Sequence, residues 1–277
     1  MTDPYQNLFD PAVNTEYMPS QSVPNAREYF GAWARDSAAL REQHPPQELA
    51  YGHGEHERLD VFEPAGKVRA TLLFIHGGYW KAFYKDHFSY VAAPLLREGV
   101  RVAVMSYDLA PGVTLRQIVR QAREAASLVS QSYPGPLFVS GHSAGGHLTA
   151  MIHCTDWPAE GLPAPQLAGS IGISGLYDLL PLRLTELQPD LNLSEDEARD
   201  LSPISHPPTS PAPFIVAVGA LESRSFHDQS GKLTAAWPTV ASPPHDLPGR
   251  HHFDAPDDLL ALLRPLLDRL NPEPLDP

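Results

Sequence analysis

The stretch Pro136-Leu-Phe-Val-Ser-Gly-His-Ser-Ala-Gly-Gly-His147 constrains the fold of this chain more than any other. Leu137-Phe138-Val139 is an apolar run that suits a buried strand, and Gly146-His147-Leu148-Thr149-Ala150-Met151-Ile152 resumes with a helical pattern. Between them lies Gly141-His142-Ser143-Ala144-Gly145, a Gly-x-Ser-x-Gly motif placed at a strand-to-helix turn. In a turn that sharp, a side chain at 141 or 145 collides with the neighbouring strand or helix. Ser143 is thereby lifted to the tip, with the positive end of a helix beneath it. That is the position of a nucleophile.

The rest of the chain supplies a sheet for this turn. Leu59-Asp60-Val61-Phe62 alternates as a half-exposed strand does, whereas 70–75 and 100–105 read as buried parallel strands. Helices are expected over roughly 86–98 and 114–132, on either side of the second of these strands. Strands at 167–173 and 214–218 follow the turn, separated by a long excursion, 176–213, with a short acidic helix near 194–200. A last helix covers about 256–269. Strand and helix alternate, which predicts an α/β fold: a doubly wound, mostly parallel sheet with helices on both faces. In such a sheet the site lies at the carboxyl ends of the strands, where Ser143 already stands. Before the first strand, Phe30, Trp33, Ser37 and Leu40 fall on one helical face. That helix precedes the sheet, so it docks on the outside of the domain or over the active-site edge. The expected organisation is a single domain, with residues 1–50 as an N-terminal extension and 51–277 as the catalytic unit.

Composition narrows the function. A formal charge of −13 argues against a nucleic-acid partner, because phosphate binding needs a basic face. No apolar run approaches the roughly 20 residues that cross a bilayer. Met1-Thr2-Asp3-Pro4-Tyr5 lacks the basic-then-apolar order of a secretory signal, so the expected location is the cytoplasm. The single cysteine, Cys154, excludes an internal disulfide and reads as a small buried thiol. The 13 histidines prompt a search for metal ligands. The tightest groupings, His53 with His56 and His251 with His252, lack the i, i+4 spacing with a glutamate of a helical zinc site, so neither metal nor cofactor is expected.

A serine hydroxyl needs a base to take its proton and donors for the oxyanion it creates. Ile75-His76-Gly77-Gly78-Tyr79-Trp80 ends a buried strand, and its glycines free backbone N–H groups to point inward. Gly78 and Tyr79, with Ala144 after the nucleophile, are the expected oxyanion donors, and His76 orders the loop. His142 is expected to be turned away by the elbow. The base is expected before the last helix, in Gly249-Arg250-His251-His252-Phe253-Asp254, where only one of the two histidines can face Ser143. For the acid, Glu222 follows the strand 214–218 directly, while Asp228 and Asp246 lie further on. Tyr79 and Trp80, beside the oxyanion loop, are candidate walls for a substrate, and Phe30 and Trp33 suit a planar ring closing over the same edge.

These features together resemble the kynurenine formamidase (arylformamidase) branch of the α/β-hydrolases. The matching motifs are His76-Gly77-Gly78-Tyr79-Trp80, Gly141-His142-Ser143-Ala144-Gly145-Gly146-His147-Leu148, Ser174-Gly175-Leu176-Tyr177-Asp178-Leu179, Leu191-Asn192-Leu193, Phe226-His227-Asp228-Gln229-Ser230 and His252-Phe253. They span about Tyr51 to Phe253; the N-terminus matches poorly. The resemblance implies an α/β-hydrolase fold, Ser143 as nucleophile and His252, before phenylalanine, as base. It implies the acid at 222, where members often carry aspartate in place of this glutamate. It further implies hydrolysis of N-formyl-L-kynurenine, a small-molecule substrate, without a cofactor. A carboxylesterase for small aromatic or short-acyl esters is the alternative, and a non-catalytic binding module a remote one. A homodimer is left open.

Overall fold

A computed structural model describes residues 8–270. Its centre is an eight-stranded sheet: β1 Gln47–Ala50, β2 Arg58–Phe62, β3 Ala70–Ile75, β4 Val100–Met105, β5 Leu137–His142, β6 Leu167–Ile173, β7 Phe214–Gly219 and β8 His245–Leu247. The spatial order is β1-β2-β4-β3-β5-β6-β7-β8. β2 runs antiparallel to both β1 and β4, and every pairing from β4 to β8 is parallel. The helices are α1 Pro11–Tyr17, α2 Pro19–Ser22, α3 Ala26–Gln43, α4 Ala92–Arg97, α5 Leu115–Ser132, α6 Ala144–His153, α7 Trp157–Glu160, α8 Gln188–Leu191, α9 Glu195–Asp200, α10 Arg224–Ala236 and α11 Leu259–Asp268.

Two apolar clusters sandwich the sheet. On one face α5, α6 and α10 pack through residues such as Ile118, Leu148 and Leu233 against Leu73, Ile75 and Val216. On the other, α3, α4 and α11 pack through Trp33, Leu95 and Leu263 against Leu72, Phe74 and Ile171. With both faces covered, the central strands are mostly apolar, with alternation lost. β3 and β5 are buried at every position.

That cover also explains where alternation misleads. β2 was expected to be half-exposed on account of Asp60, yet Asp60 is only 1 % exposed. Its carboxylate is held by Arg41 of α3 and, at 3.0 Å, by Lys85. A buried charge is tolerable only when paired, so this polar position faces a helix rather than water. Lys85 also reaches Glu48 of β1 (3.0 Å), which ties α3, β1 and β2 together. Because β1 belongs to the sheet, the boundary expected at residue 50 falls inside it. β1 and the three-residue β8 are too short and too polar to carry a sequence signal. The helix expected over 86–98 is interrupted. Two 3-10 turns, Lys85–His87 and Ser89–Val91, precede α4. Cys154 is buried at the end of α6, and burial pushes its thiol up to about 12.

Candidate active site

β5 ends in the tight turn expected from its glycines. A Cβ at Gly141 would overlap the carbonyl oxygen of Gly145, and one at Gly145 would overlap that of Ile75 on β3. Ser143 sits between them at φ 56°, ψ −118°, a conformation that costs a residue with a side chain on the order of 1–3 kcal/mol. The strain is held from both sides. Ser143 N–H donates to Ile173 on β6 (2.9 Å), and His147 N–H donates to the Ser143 carbonyl (3.2 Å), starting α6. The Ser143 hydroxyl itself engages no hydrogen bond among the described residues, although it lines a cavity with His252.

The two adjacent histidines separate cleanly. His252 Nδ1 donates to Glu222 Oε2 at 2.6 Å, and both side chains are buried, at 4 % and 1 % exposure. Since the carboxylate can only accept, the Nδ1 proton is fixed and Nε2 keeps a free lone pair. His251 Nδ1 instead accepts from Phe253 N–H (3.1 Å), and its ring meets Tyr29 edge-on. Glu222 is gripped at its other oxygen, which accepts from the Ser174 hydroxyl and from Gly219 N–H (2.8 Å). The Phe226 ring lies 4.6 Å from that of His252. The two other acids do not meet the imidazole. Asp246 is 66 % exposed and faces His227, while Asp228 faces Arg224 on the surface of α10. Ser174 is the group that sequence reasoning missed. It lies within a motif, but nothing in its local sequence announces a hydrogen bond to residue 222.

Gly78, at φ 109°, and Tyr79, at φ 51°, turn the loop after β3, and both line the same cavity as Ser143. The N–H groups of Gly78, Tyr79 and Ala144 have no acceptor among the described residues. Three unfilled donors near a serine hydroxyl offer a place where negative charge could be met. His76 orders this loop through Nδ1 to the Gly77 carbonyl (2.7 Å) and stacks on Tyr107 (4.3 Å). Burial lowers its pKa to about 4.

Two expectations need correction. Trp80 does not border the cavity: its ring is fully buried, edge-on to His147 at 5.0 Å in the core beneath the loop. Tyr79 and Trp80 share a positive φ, 51° and 58°, yet Tyr79 keeps the cavity side while the Trp80 indole lies inward. His142 is not turned away from the site. Its ring lines the cavity 4.6 Å from His252, with both nitrogens unpartnered. Burial, and then the neighbouring His252, hold its pKa well below the ordinary value, so it stays neutral.

The cavity over Ser143 encloses about 270 Å³. Phe30 and Trp33 of α3 form its outer wall, with Phe83 and Phe253 packed edge-on against Phe30 at 5.2 and 5.1 Å. Docking the helix and walling the cavity are thus one arrangement. The segment before α3 contributes as well: Met18, Pro19 and Ser20 line the cavity, which no periodicity in the first 22 residues indicated. It is anchored on several sides. Tyr79 OH donates to the Tyr17 carbonyl, Ser223 Oγ to that of Glu16 (2.6 Å), and Gln229 Nε2 to Tyr17 OH (2.9 Å). Among the described residues no group of three or more His, Cys, Asp or Glu side chains stands close enough to hold a metal ion. No helix there is long and apolar enough to cross a membrane.

This geometry has counterparts among known proteins. Residues 72–200 match a family model described as the alpha/beta hydrolase fold. A kynurenine formamidase of Salmo salar is 34 % identical over 224 residues, 76 % of this chain and 76 % of the relative. The chain belongs to the kynurenine formamidase family of α/β-hydrolases. A Danio rerio kynurenine formamidase is also 34 % identical, over 66 % of this chain and 65 % of its own. Among solved structures, a candidate thioesterase from a Silicibacter species superposes with a TM-score of 0.82 at 31 % identity, covering 89 % of this chain and 94 % of that one. The formamidase-family chain is therefore a hydrolase with the α/β-hydrolase fold.

Proposed function

We propose that this hydrolase cleaves N-formyl-L-kynurenine to L-kynurenine and formate through a serine nucleophile. His252 Nε2 takes the Ser143 proton as Oγ attacks the formyl carbon. The oxyanion is met by the N–H groups of Gly78, Tyr79 and Ala144. His252 then returns the proton to the aryl nitrogen, the C–N bond breaks, and kynurenine leaves a formyl ester on Ser143. A water molecule, deprotonated by the same imidazole, releases formate. Glu222 stabilises the imidazolium in both steps. No cofactor takes part. The observation that carries this reading is the buried Glu222–His252 contact beside Ser143, at the floor of a small cavity walled by aromatic rings. An aryl amine leaves more readily than an alkyl amine, and a flat apolar wall suits its ring. The names of the salmon and zebrafish relatives agree with it.

The test is substrate choice. The formamidase reading expects a higher kcat/KM for N-formylkynurenine than for p-nitrophenyl acetate, despite the ester's better leaving group. It also expects butyrate esters to fall below acetate by roughly 10–200-fold, since the extra methylenes must fit a slot built for a formyl group. Preference for butyrate with barely detectable formamide turnover would replace it with the carboxylesterase alternative.

A further inference from the structure

The cavity over Ser143 is lined mainly by aromatic, aliphatic and glycine residues, and two charged side chains break that lining: Lys81 and Glu186. Their situations differ. Lys81 is already answered by an ion pair with Asp190. Glu186 has no cationic partner among the described residues; its carboxylate accepts a single long hydrogen bond, 3.4 Å, from Asn14 Nδ2. Its backbone is nevertheless held firmly, because Glu186 N–H donates to the Oδ1 of the same buried asparagine at 2.9 Å. Glu186 is exposed, so its carboxylate lines the cavity where solvent reaches it; held in place by Asn14 and with no cation beside it, it is free to receive one from a ligand. Glu186, Lys81 and Asp190 together leave one negative charge uncompensated at this wall.

We infer that Glu186 is a specificity residue whose carboxylate receives the ammonium group of an amino-acid-bearing substrate while Ser143 attacks the acyl carbon at the cavity floor. The inference rests on the formamidase reading and deepens it. The substrate class becomes aryl formamides carrying a primary amine at the far end. Asn14 of α1 acts as a positioning residue that presents the carboxylate, giving the N-terminal segment a task in selectivity.

The experiment compares N-formylkynurenine with the analogue in which hydrogen replaces the α-amino group, both measured on the full chain. Wild-type enzyme is expected to favour the amine by roughly tenfold in kcat/KM, the scale of one charge-assisted contact to a ligand. In Glu186→Gln that ratio is expected to fall close to one, with the change in KM rather than kcat. Glu186→Lys is expected to invert it. A ratio in Glu186→Gln equal to that of wild type, or no preference in wild type while both formamides are hydrolysed, would overturn the role of Glu186 and leave the formamidase reading standing. Hydrolysis of p-nitrophenyl acetate with neither formamide turned over would bring down that reading and the inference together.

Discussion

Glu222→Gln changes one atom of the carboxylate and is expected to disable the site, for a reason that lies in its three contacts. One oxygen accepts from His252 Nδ1 at 2.6 Å, and the other accepts from the Ser174 hydroxyl and from Gly219 N–H at 2.8 Å. An amide has one acceptor and one donor end, so either orientation fails. With the NH₂ toward His252, Nδ1 must accept, the proton moves to Nε2, and no lone pair faces the serine. With the NH₂ toward Gly219, two N–H groups oppose each other in a buried space, at a cost of about 1–3 kcal/mol, and the imidazolium still lacks a countercharge. A loss in kcat of roughly 10²–10⁴-fold is expected, the range seen when a triad acid is neutralised without being removed. Asp246→Asn is expected to change kcat less than twofold, because that carboxylate is 66 % exposed and faces His227. The assay is steady-state ester and formamide hydrolysis, with thermal unfolding to show that both variants fold. A folded Glu222→Gln enzyme within tenfold of wild type, or an Asp246→Asn enzyme slower than it, would refute this account.

Other outcomes follow from the same geometry. Ser143→Ala is expected to lower kcat by about 10⁴-fold or more and to abolish labelling by a fluorophosphonate; a folded variant with near-normal turnover would remove Ser143 from the mechanism. Burial holds His76, His147 and His153 at pKa values of about 4, below the ordinary value near 6.5. The unfolded chain therefore binds more protons than the native one between these values. Stability should be flat in pH above about 7 and should decline from pH 6.5 toward 4, with uptake of about three protons on unfolding at pH 5.5 from these histidines. Urea midpoints that stay level across that window would contradict it. Gly145→Ala is expected to yield no stable fold, since the added methyl overlaps the Ile75 carbonyl. Gly31→Ala, on the exposed side of α3 with nothing within 4 Å of the new carbon, should gain about 0.5–1 kcal/mol in chemical denaturation.

Local sequence determined the parts of this protein whose physics is local. The glycines at 141 and 145 specify a sharp turn because no side chain fits there, and the apolar runs of β3, β4 and β5 specify a sheet covered on both faces. The alternation of strand and helix then sets the winding, and with it the edge where Ser143, the loop after β3 and the histidine before the last helix assemble. What the sequence left open needed distances between segments far apart in the chain. Residue chemistry alone did not separate His251 from His252; the family resemblance chose His252, and packing shows that it meets Glu222 while His251 meets Tyr29 and Phe253. Trp80 looked like a wall of the site beside Tyr79, but its indole is fully buried, edge-on to His147 in the core. Asp60 looked solvent-facing because alternation reports which side of a strand a residue takes, and not what covers that side. The part of the cavity formed by Met18 to Ser20, and the grip of Ser174 on Glu222, left no trace in the sequence. Hydrophobic periodicity records burial along one element, whereas these contacts join residues whose neighbours in the chain do not vary with them.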